Sequence, residues 1–236
     1  PSNLNSLIIN KVQNGKLVTN VELYFNDNLE IDNFIARGEV KNLNSIINNE
    51  LSLKNTSFNF FADTSDVLIK NIKSEMDGLL IKEGNLQLSR NEEINLKSDF
   101  RAEIRINKKN INNYLPIVKN VKLINQETNF NANVDNFLDI TFDKTFKVID
   151  YNYTNKGKIN KSFFKLEKPI ENSYLEKDIN HLYSKNSNFN VRYASNEKNH
   201  IYISGVYSID DKKYQNYDLK NDFFRETSNI NLDFEF

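Results

Sequence analysis

The segment Asn91–Asn107 reads NEEINLKSDFRAEIRIN and decides the fold. From Ile94 onward, apolar side chains fall mostly on even positions, whereas amide and charged side chains fall on odd positions. This period of two predicts a β-strand with one apolar face and one polar face. At about 3.3 Å per residue such a strand spans roughly 50 Å, which is well above the usual strand length.

The same alternation recurs at 129–143, where Phe137 is the exception, and again at 230–236. Weaker versions occur at 17–25 and 189–193. We predict that the apolar residues of the three clearest stretches lie on one face of a sheet. They are Ile94, Leu96, Phe100, Ala102, Ile104, Ile106, Phe130, Ala132, Val134, Leu138, Ile140, Phe142, Ile230, Leu232, Phe234 and Phe236.

Further strand candidates lie between these stretches, at a spacing of about ten to fifteen residues. Polar clusters join them, with Gly15 and Gly157 among the joining residues. Because parallel strands need crossovers of a dozen or more residues, this spacing predicts an all-β chain folded as a long antiparallel meander. The candidates cover 30–41, 51–61, 66–74, 78–89, 145–154, 157–167, 199–210 and 212–220.

Two stretches are candidates for short helices. Residues 109–115 end at a proline, and residues 174–185 place apolar side chains at helical spacing. Pro169 precedes the second stretch and marks a boundary between two parts of the chain. We therefore predict an N-terminal part, 1–168, and a C-terminal part, 169–236, that continues the same sheet.

The composition limits the classes of function. With 31 basic and 32 acidic residues the formal net charge is −1, which is too balanced for a general attraction to a phosphate backbone or an anionic bilayer. We therefore expect no nucleic-acid partner. The absence of Cys excludes disulfides and thiolate metal sites. The chain has 42 Asn and 5 Ala, a bias that we attribute to AT-rich coding DNA.

No catalytic site is predicted. His181 and His200 have no metal-binding spacing, and motifs for a serine nucleophile or a phosphate-binding loop are absent from the sequence. Three acidic pairs remain, but each falls at a predicted strand end or turn, where carboxylates are normally solvated. They are Asp63 with Asp66, Glu92 with Glu93, and Asp210 with Asp211. We therefore expect neither enzymatic activity nor a cofactor.

One region goes beyond a generic β pattern. Residues 36–43 read ARGEVKNL, residues 51–60 read LSLKNTSFNF, and residues 72–88 carry an apolar run between glycines that ends in GNLQL. This cadence resembles the β repeats of the AsmA-like family of bacterial envelope proteins, of the TamB and YhdP type. The resemblance is best over residues 34–106.

The resemblance implies a periplasmic segment of a longer protein that is anchored in the inner membrane outside this segment. It further implies a curled sheet that forms an open apolar groove and conducts phospholipids between the inner and outer membranes, as part of outer-membrane biogenesis. The sixteen apolar residues named above would line this groove. The implied partners are phospholipid acyl chains and neighbouring β segments of the same parent chain.

Two alternatives stay open at this point. Strands of the same kind, packed face to face, would form a β-sandwich, and a surface or periplasmic adhesion module would then be the function. An enzyme acting on glycosides would need two carboxylates that converge in a cleft. The sequence contains neither a signal peptide nor an apolar membrane span. Because it starts at Pro1 without Met and stops at Phe236 within an alternating pattern, we expect it to be part of a longer protein.

Overall fold

The computed structural model describes residues 11–46, 52–113, 126–171, 178–195, 199–222 and 227–232. Within this part, twelve strands hold 79% of the residues and pair in sequence order in one antiparallel sheet. The predicted all-β meander is confirmed, and the strands belong to one sheet rather than to two. The strands are β1 Val12–Phe25, β2 Ile31–Ile46, β3 Ser52–Ala62, β4 Asp66–Met76, β5 Leu79–Arg90, β6 Ile94–Ile106, β7 Asn129–Phe142, β8 Val148–Ile170, β9 Ile179–Ala194, β10 His200–Ser208, β11 Gln215–Asp222 and β12 Thr227–Leu232.

Strand β8 joins two segments that the sequence predicts as separate strands. It has 23 residues and includes Gly157, which was expected in a turn. A Cβ atom at Gly157 would lie 2.2 Å from the carbonyl oxygen of Asn133 and 2.8 Å from the ring of Phe189. The glycine is therefore required for close packing inside a strand, which is a second common role of glycine in sheets.

The described residues contain one helical turn, a 3-10 turn at Ile111–Asn113, which lies inside the first predicted helix. The second predicted helix, 174–185, is wrong from Ile179 onward, because β9 begins there. In β9, Ser184 stands opposite Tyr207 of β10. Cross-strand pairing therefore overrides the helical spacing of the apolar residues. Residues 174–177 of that prediction lie outside the described residues.

Four asparagines mark β-bulges. At each of these sites one strand has one more residue than its partner strand, so the register between the two strands shifts. Each also has a positive φ, which asparagine tolerates better than most residues other than glycine. They are Asn42 and Asn55 with φ 52°, Asn71 with φ 58° and Asn186 with φ 52°.

Side chains from neighbouring strands support these bulges. The backbone N–H of Asn55 donates to Oδ1 of Asn44 at 2.9 Å, and that of Asn71 donates to Oδ1 of Asn85 at 3.3 Å. An N–H that the bulge removes from the ladder is thus satisfied by an amide side chain. Because side chains alternate along a strand, each extra residue also moves the apolar positions from one parity to the other.

The chain forms two compact units. Unit 1 comprises residues 1–102 and 136–153, and unit 2 comprises residues 103–135 and 154–236. The division between the units passes through β6, β7 and β8. The boundary predicted between 168 and 169 lies near the end of β8 and stays a prediction.

Candidate functional site

In unit 1, residues from five strands stand opposite one another in rows that cross the sheet. Directly opposite residues of an antiparallel pair share a face. With strands about 4.8 Å apart, a row of five residues extends about 19 Å. The rows, which we call the unit 1 apolar face, are Val21–Ala36–Ala62–Val67–Leu88, Thr19–Gly38–Phe60–Ile69–Leu86 and the shorter Leu17–Val40–Phe58.

The large side chains of this face are only partly covered. Leu and Phe are among the residues that packed cores most often bury completely. Among the described residues of β1 to β11, however, no Leu or Phe is buried to that extent. The buried hydrophobic residues are Ile94, Ala102, Ile111, Ala132, Val134, Ala194 and Tyr207.

The apolar face continues onto β1, which is the outermost strand of the described sheet. Leu17 is 61% exposed and Phe25 is 56% exposed, and Val21 and Leu23 between them are also exposed. Single exposed apolar residues are common, whereas these four, together with Thr19, occupy every second position of one strand from 17 to 25.

Phenylalanine rings cover glycines on this face. A Cβ atom at Gly84 would lie 2.2 Å from Cδ1 of Phe100, and one at Gly38 would lie 3.1 Å from Cε1 of Phe60. The Phe100 ring therefore occupies the space that a side chain at Gly84 would need, whereas at Gly38 the carbonyl oxygen of Val18, 2.1 Å away, is the nearer obstacle. In unit 2, Phe189 covers Gly157 in the same way. The result is a face on which rings lie against backbone.

The structure places twelve of the predicted face residues in β6 and β7, where all are buried or half-buried. Two more, Ile230 and Leu232, are in β12 opposite Leu219 and Tyr217. Phe234 and Phe236 lie outside the described residues. Unit 1 holds Ile94, Leu96, Phe100, Ala102, Leu138, Ile140 and Phe142, and unit 2 holds Ile104, Ile106, Phe130, Ala132 and Val134.

The alternate positions of the same strands form a polar face. In unit 1, Nζ of Lys97 lies 3.3 Å from Oδ2 of Asp139, and NH1 of Arg101 lies 3.5 Å from Oε2 of Glu83. Both basic side chains are more than half exposed. Exposed ion pairs of this kind contribute only about 0–1 kcal/mol each. Their main consequence is that this side of the sheet is solvated.

Unit 2 contains a cluster of hydroxyl groups on β9 and β11. The hydroxyls of Ser184 and Tyr217 are 3.2 Å apart, and those of Ser184 and Ser187 are 2.8 Å apart. Sequence reasoning missed this cluster, because Ser184 was placed in the predicted helix 174–185 rather than in a strand. The apolar row beside the cluster is Phe189–Ile203–Leu219.

Two of the acidic residues that were considered for catalysis, Asp63 and Asp210, accept hydrogen bonds that hold their turns. Oδ1 of Asp63 accepts hydrogen bonds from the backbone N–H groups of Asp66 and Ser65, and these bonds lower the pKa of Asp63. Asp210 caps its turn in the same way, through the backbone N–H of Lys212, and its pKa is also lowered. A general acid at neutral pH needs the opposite shift.

His181 is a strand residue of β9, and its ring stacks on that of Phe163 with the ring centroids 5.4 Å apart. His200 opens β10. Among the described residues, no group of three or more His, Cys, Asp or Glu side chains is placed to hold a metal ion. The described part of the chain also contains no helix that is long and apolar enough to cross a membrane.

Comparisons of the chain with protein-family models, with curated proteins and with solved structures found no match. The functional interpretation therefore depends on the geometry of the sheet and on the residues of its two faces.

Proposed function

We propose that this chain is a lipid-contacting β segment of an AsmA-like envelope protein, located in the periplasm. The unit 1 apolar face, with its partly exposed Leu and Phe side chains, is the observation that carries the proposal. An uncovered apolar surface is unfavourable in water and becomes favourable when apolar chains cover it. Phospholipid acyl chains are the proposed ligands, and no catalytic step is involved.

The size of the contact suits transport better than storage. Burying one CH₂ group contributes about 0.8 kcal/mol, so about ten methylenes shielded on one side only would contribute about 4 kcal/mol. An interaction of that size corresponds to a dissociation constant of about 1 mM. A lipid held this weakly moves along the face rather than staying at one position.

The edges of the sheet bear on the proposed partners. β1 and β12 are the outermost strands of the described sheet, and an edge strand presents backbone groups that another strand can pair with. The proposal therefore includes neighbouring β segments of a longer parent chain at these edges. It places the membrane anchor of the parent protein outside this segment.

Photo-crosslinking tests the proposal at two adjacent positions on opposite faces. Benzoylphenylalanine is introduced at Phe100, on the apolar face, or at Arg101, on the polar face, and the protein is irradiated in cells. We expect phospholipid adducts, identified by mass spectrometry, at position 100 and not at position 101.

The two positions are neighbours in β6, so the two proteins carry the probe in the same strand and differ in the face that it occupies. Equal adducts at both positions, or none at position 100, would refute the proposed lipid contact. Protein adducts at position 100 without lipid would instead favour an interaction module.

A further inference from the structure

Two hairpin turns of unit 1 have the same construction. In the β1–β2 turn, Oδ1 of Asn26 accepts the backbone N–H groups of Asn28 and Glu30, both at 3.0 Å. In the β7–β8 turn, Oδ1 of Asp143 accepts those of Thr145 at 2.8 Å and Lys147 at 3.0 Å. Both are three-residue loops in which the last loop residue takes the left-handed conformation.

The left-handed position of each turn holds a large apolar residue. Leu29 has φ 62° and Phe146 has φ 64°, where glycine or asparagine is normally found. Leu29 is 83% exposed and Phe146 is 66% exposed. Burial of these side chains therefore does not compensate for the cost of their positive φ angles. Strained positions that folding does not need are starting points for functional hypotheses.

The surroundings of Phe146 are apolar and basic. The ring of Phe146 lies with its centroid 6.5 Å from that of Phe142, one of the predicted face residues. Val148 and Ile149 follow it and are also exposed. Lys144 and Lys147 flank it and are exposed, so that residues 143–149 carry a net charge of +1. We call residues 143–149 the Phe146 tip.

We propose that the Phe146 tip docks onto the surface of an anionic phospholipid bilayer. Phe146 enters the interfacial region, and Lys144 and Lys147 lie against the headgroups. Aromatic side chains favour this region, and lysines near an anionic surface add electrostatic attraction. The net charge of the whole chain is −1, but attraction at a bilayer depends on the charges within about 10 Å of it.

This docking goes beyond lipid contact along the sheet. Phe146 touches Phe142, so the tip links the bilayer surface to the predicted face residues of β7. The turn at Leu29 provides a natural contrast, because residues 26–30 carry Asp27 and Glu30 and a net charge of −2. An anionic surface repels that turn although its backbone is built in the same way.

Co-sedimentation of the whole chain with vesicles tests the proposal. The vesicles contain phosphatidylethanolamine with phosphatidylglycerol, or phosphatidylcholine alone. We expect binding to the anionic vesicles, and we expect Phe146→Asn to weaken it about tenfold, which is the effect of losing burial of a half-exposed ring. Asparagine suits the left-handed conformation, so this variant should melt at the wild-type temperature or higher.

The control is Leu29→Asn, which makes the same exchange in the acidic turn and should leave vesicle binding unchanged. Replacing both Lys144 and Lys147 by Ser should reduce binding to anionic vesicles by about fivefold per lysine. The proposal is overturned if Phe146→Asn binds like the wild type, or if it lowers the melting temperature, since Phe146 would then serve folding. Crosslinking of lipid at position 100 tests the proposed lipid contact along the apolar face. Its result does not depend on whether the Phe146 tip binds vesicles, so the two proposals can fail separately.

Discussion

The ring of Phe100 occupies the position where a side chain on Gly84 would stand, with Cδ1 only 2.2 Å from the site of a Cβ atom. Gly84 is in β5 and Phe100 is in β6, and the two residues face the same side of the sheet. Glycine is normally unfavourable in a strand interior because it loses the most conformational entropy on folding. Here packing of the ring against backbone compensates for that cost.

We therefore expect Gly84→Ala to destabilise the protein by about 1–3 kcal/mol, although alanine is the better strand residue. The added methyl group has to displace the Phe100 ring. In a Phe100→Ala background the same change should be neutral or stabilising, because the ring is gone. Urea unfolding of the wild type, the two single variants and the double variant measures the coupling between Gly84 and Phe100. If the free-energy changes of the two substitutions simply add, the ring and the glycine do not interact in this way.

Exchange of Phe100 for Gln should reduce the phospholipid adducts that benzoylphenylalanine at position 96, on the same face, forms in cells, as measured by mass spectrometry. The amide places a polar group on the apolar face and should lower the free energy of unfolding by about 1–3 kcal/mol. The matched control, Arg101→Gln, introduces the same residue on the polar face and removes an exposed ion pair with Glu83. It should retain the adducts and lose less than about 1 kcal/mol. Equal adduct formation in the two variants would contradict this assignment of faces.

The left-handed asparagines predict a distinct pattern of substitution. We expect Asn71→Gly to be close to neutral, whereas Asn71→Ala should cost about 1–2 kcal/mol because a Cβ is unfavourable at positive φ. Asn59 of β3 is an exposed asparagine that does not have a positive φ, so Asn59→Ala should change stability by less than about 0.5 kcal/mol. Chemical denaturation compares the three variants. Similar costs for both alanine variants would argue against the bulge assignment.

The β7–β8 turn predicts an acid-sensitive contribution to stability. A hydrogen bond from the Thr145 hydroxyl, together with the backbone N–H groups of Lys147 and Thr145, lowers the pKa of Asp143 below its ordinary value of 3.8. Because the folded pKa is the lower one, this contribution is present above the unfolded pKa and is lost as the pH falls through the folded pKa.

Asp143→Asn should keep the turn, since Asn26 fills the same position in the β1–β2 turn, and should remove this part of the pH dependence. Thermal unfolding from about pH 6 to about pH 2 measures the difference between the two proteins. Parallel curves for the wild type and the variant would show that Asp143 does not contribute in this way.

The strand content and the antiparallel order followed from the sequence because alternation and loop spacing are local properties. β6 was clear because polar and apolar residues alternate from Ile94 to Ile106, with Ser98 as the one exception. In β2 the apolar face moves from Val40 to Leu43, and the extra residue between them is Asn42. Asparagine abundance was attributed to codon bias, so the bulges were missed. A break in parity at an asparagine was the available signal.

The predicted face residues came from the same alternation, but two parts of the site did not. Covering of Gly84 by Phe100 depends on the register of β5 and β6, which no local pattern specifies. Leu29 and Phe146 were missed because turn propensities assign glycine or asparagine to the left-handed position, and a leucine or phenylalanine there leaves no signature in the sequence.

The order of the strands has a consequence for how the protein folds. Each strand of the described sheet forms its backbone ladder only with the strands next to it in the chain, so every strand pair joins consecutive strands. Such a chain resembles a repeat protein, in which stability is a sum over neighbouring elements and structure spreads from whichever hairpin forms first. A destabilising substitution in β1 is then expected to unfold only the β1–β2 hairpin. A destabilising substitution in β6 should uncouple the strands before it from those after it and give two separate unfolding transitions.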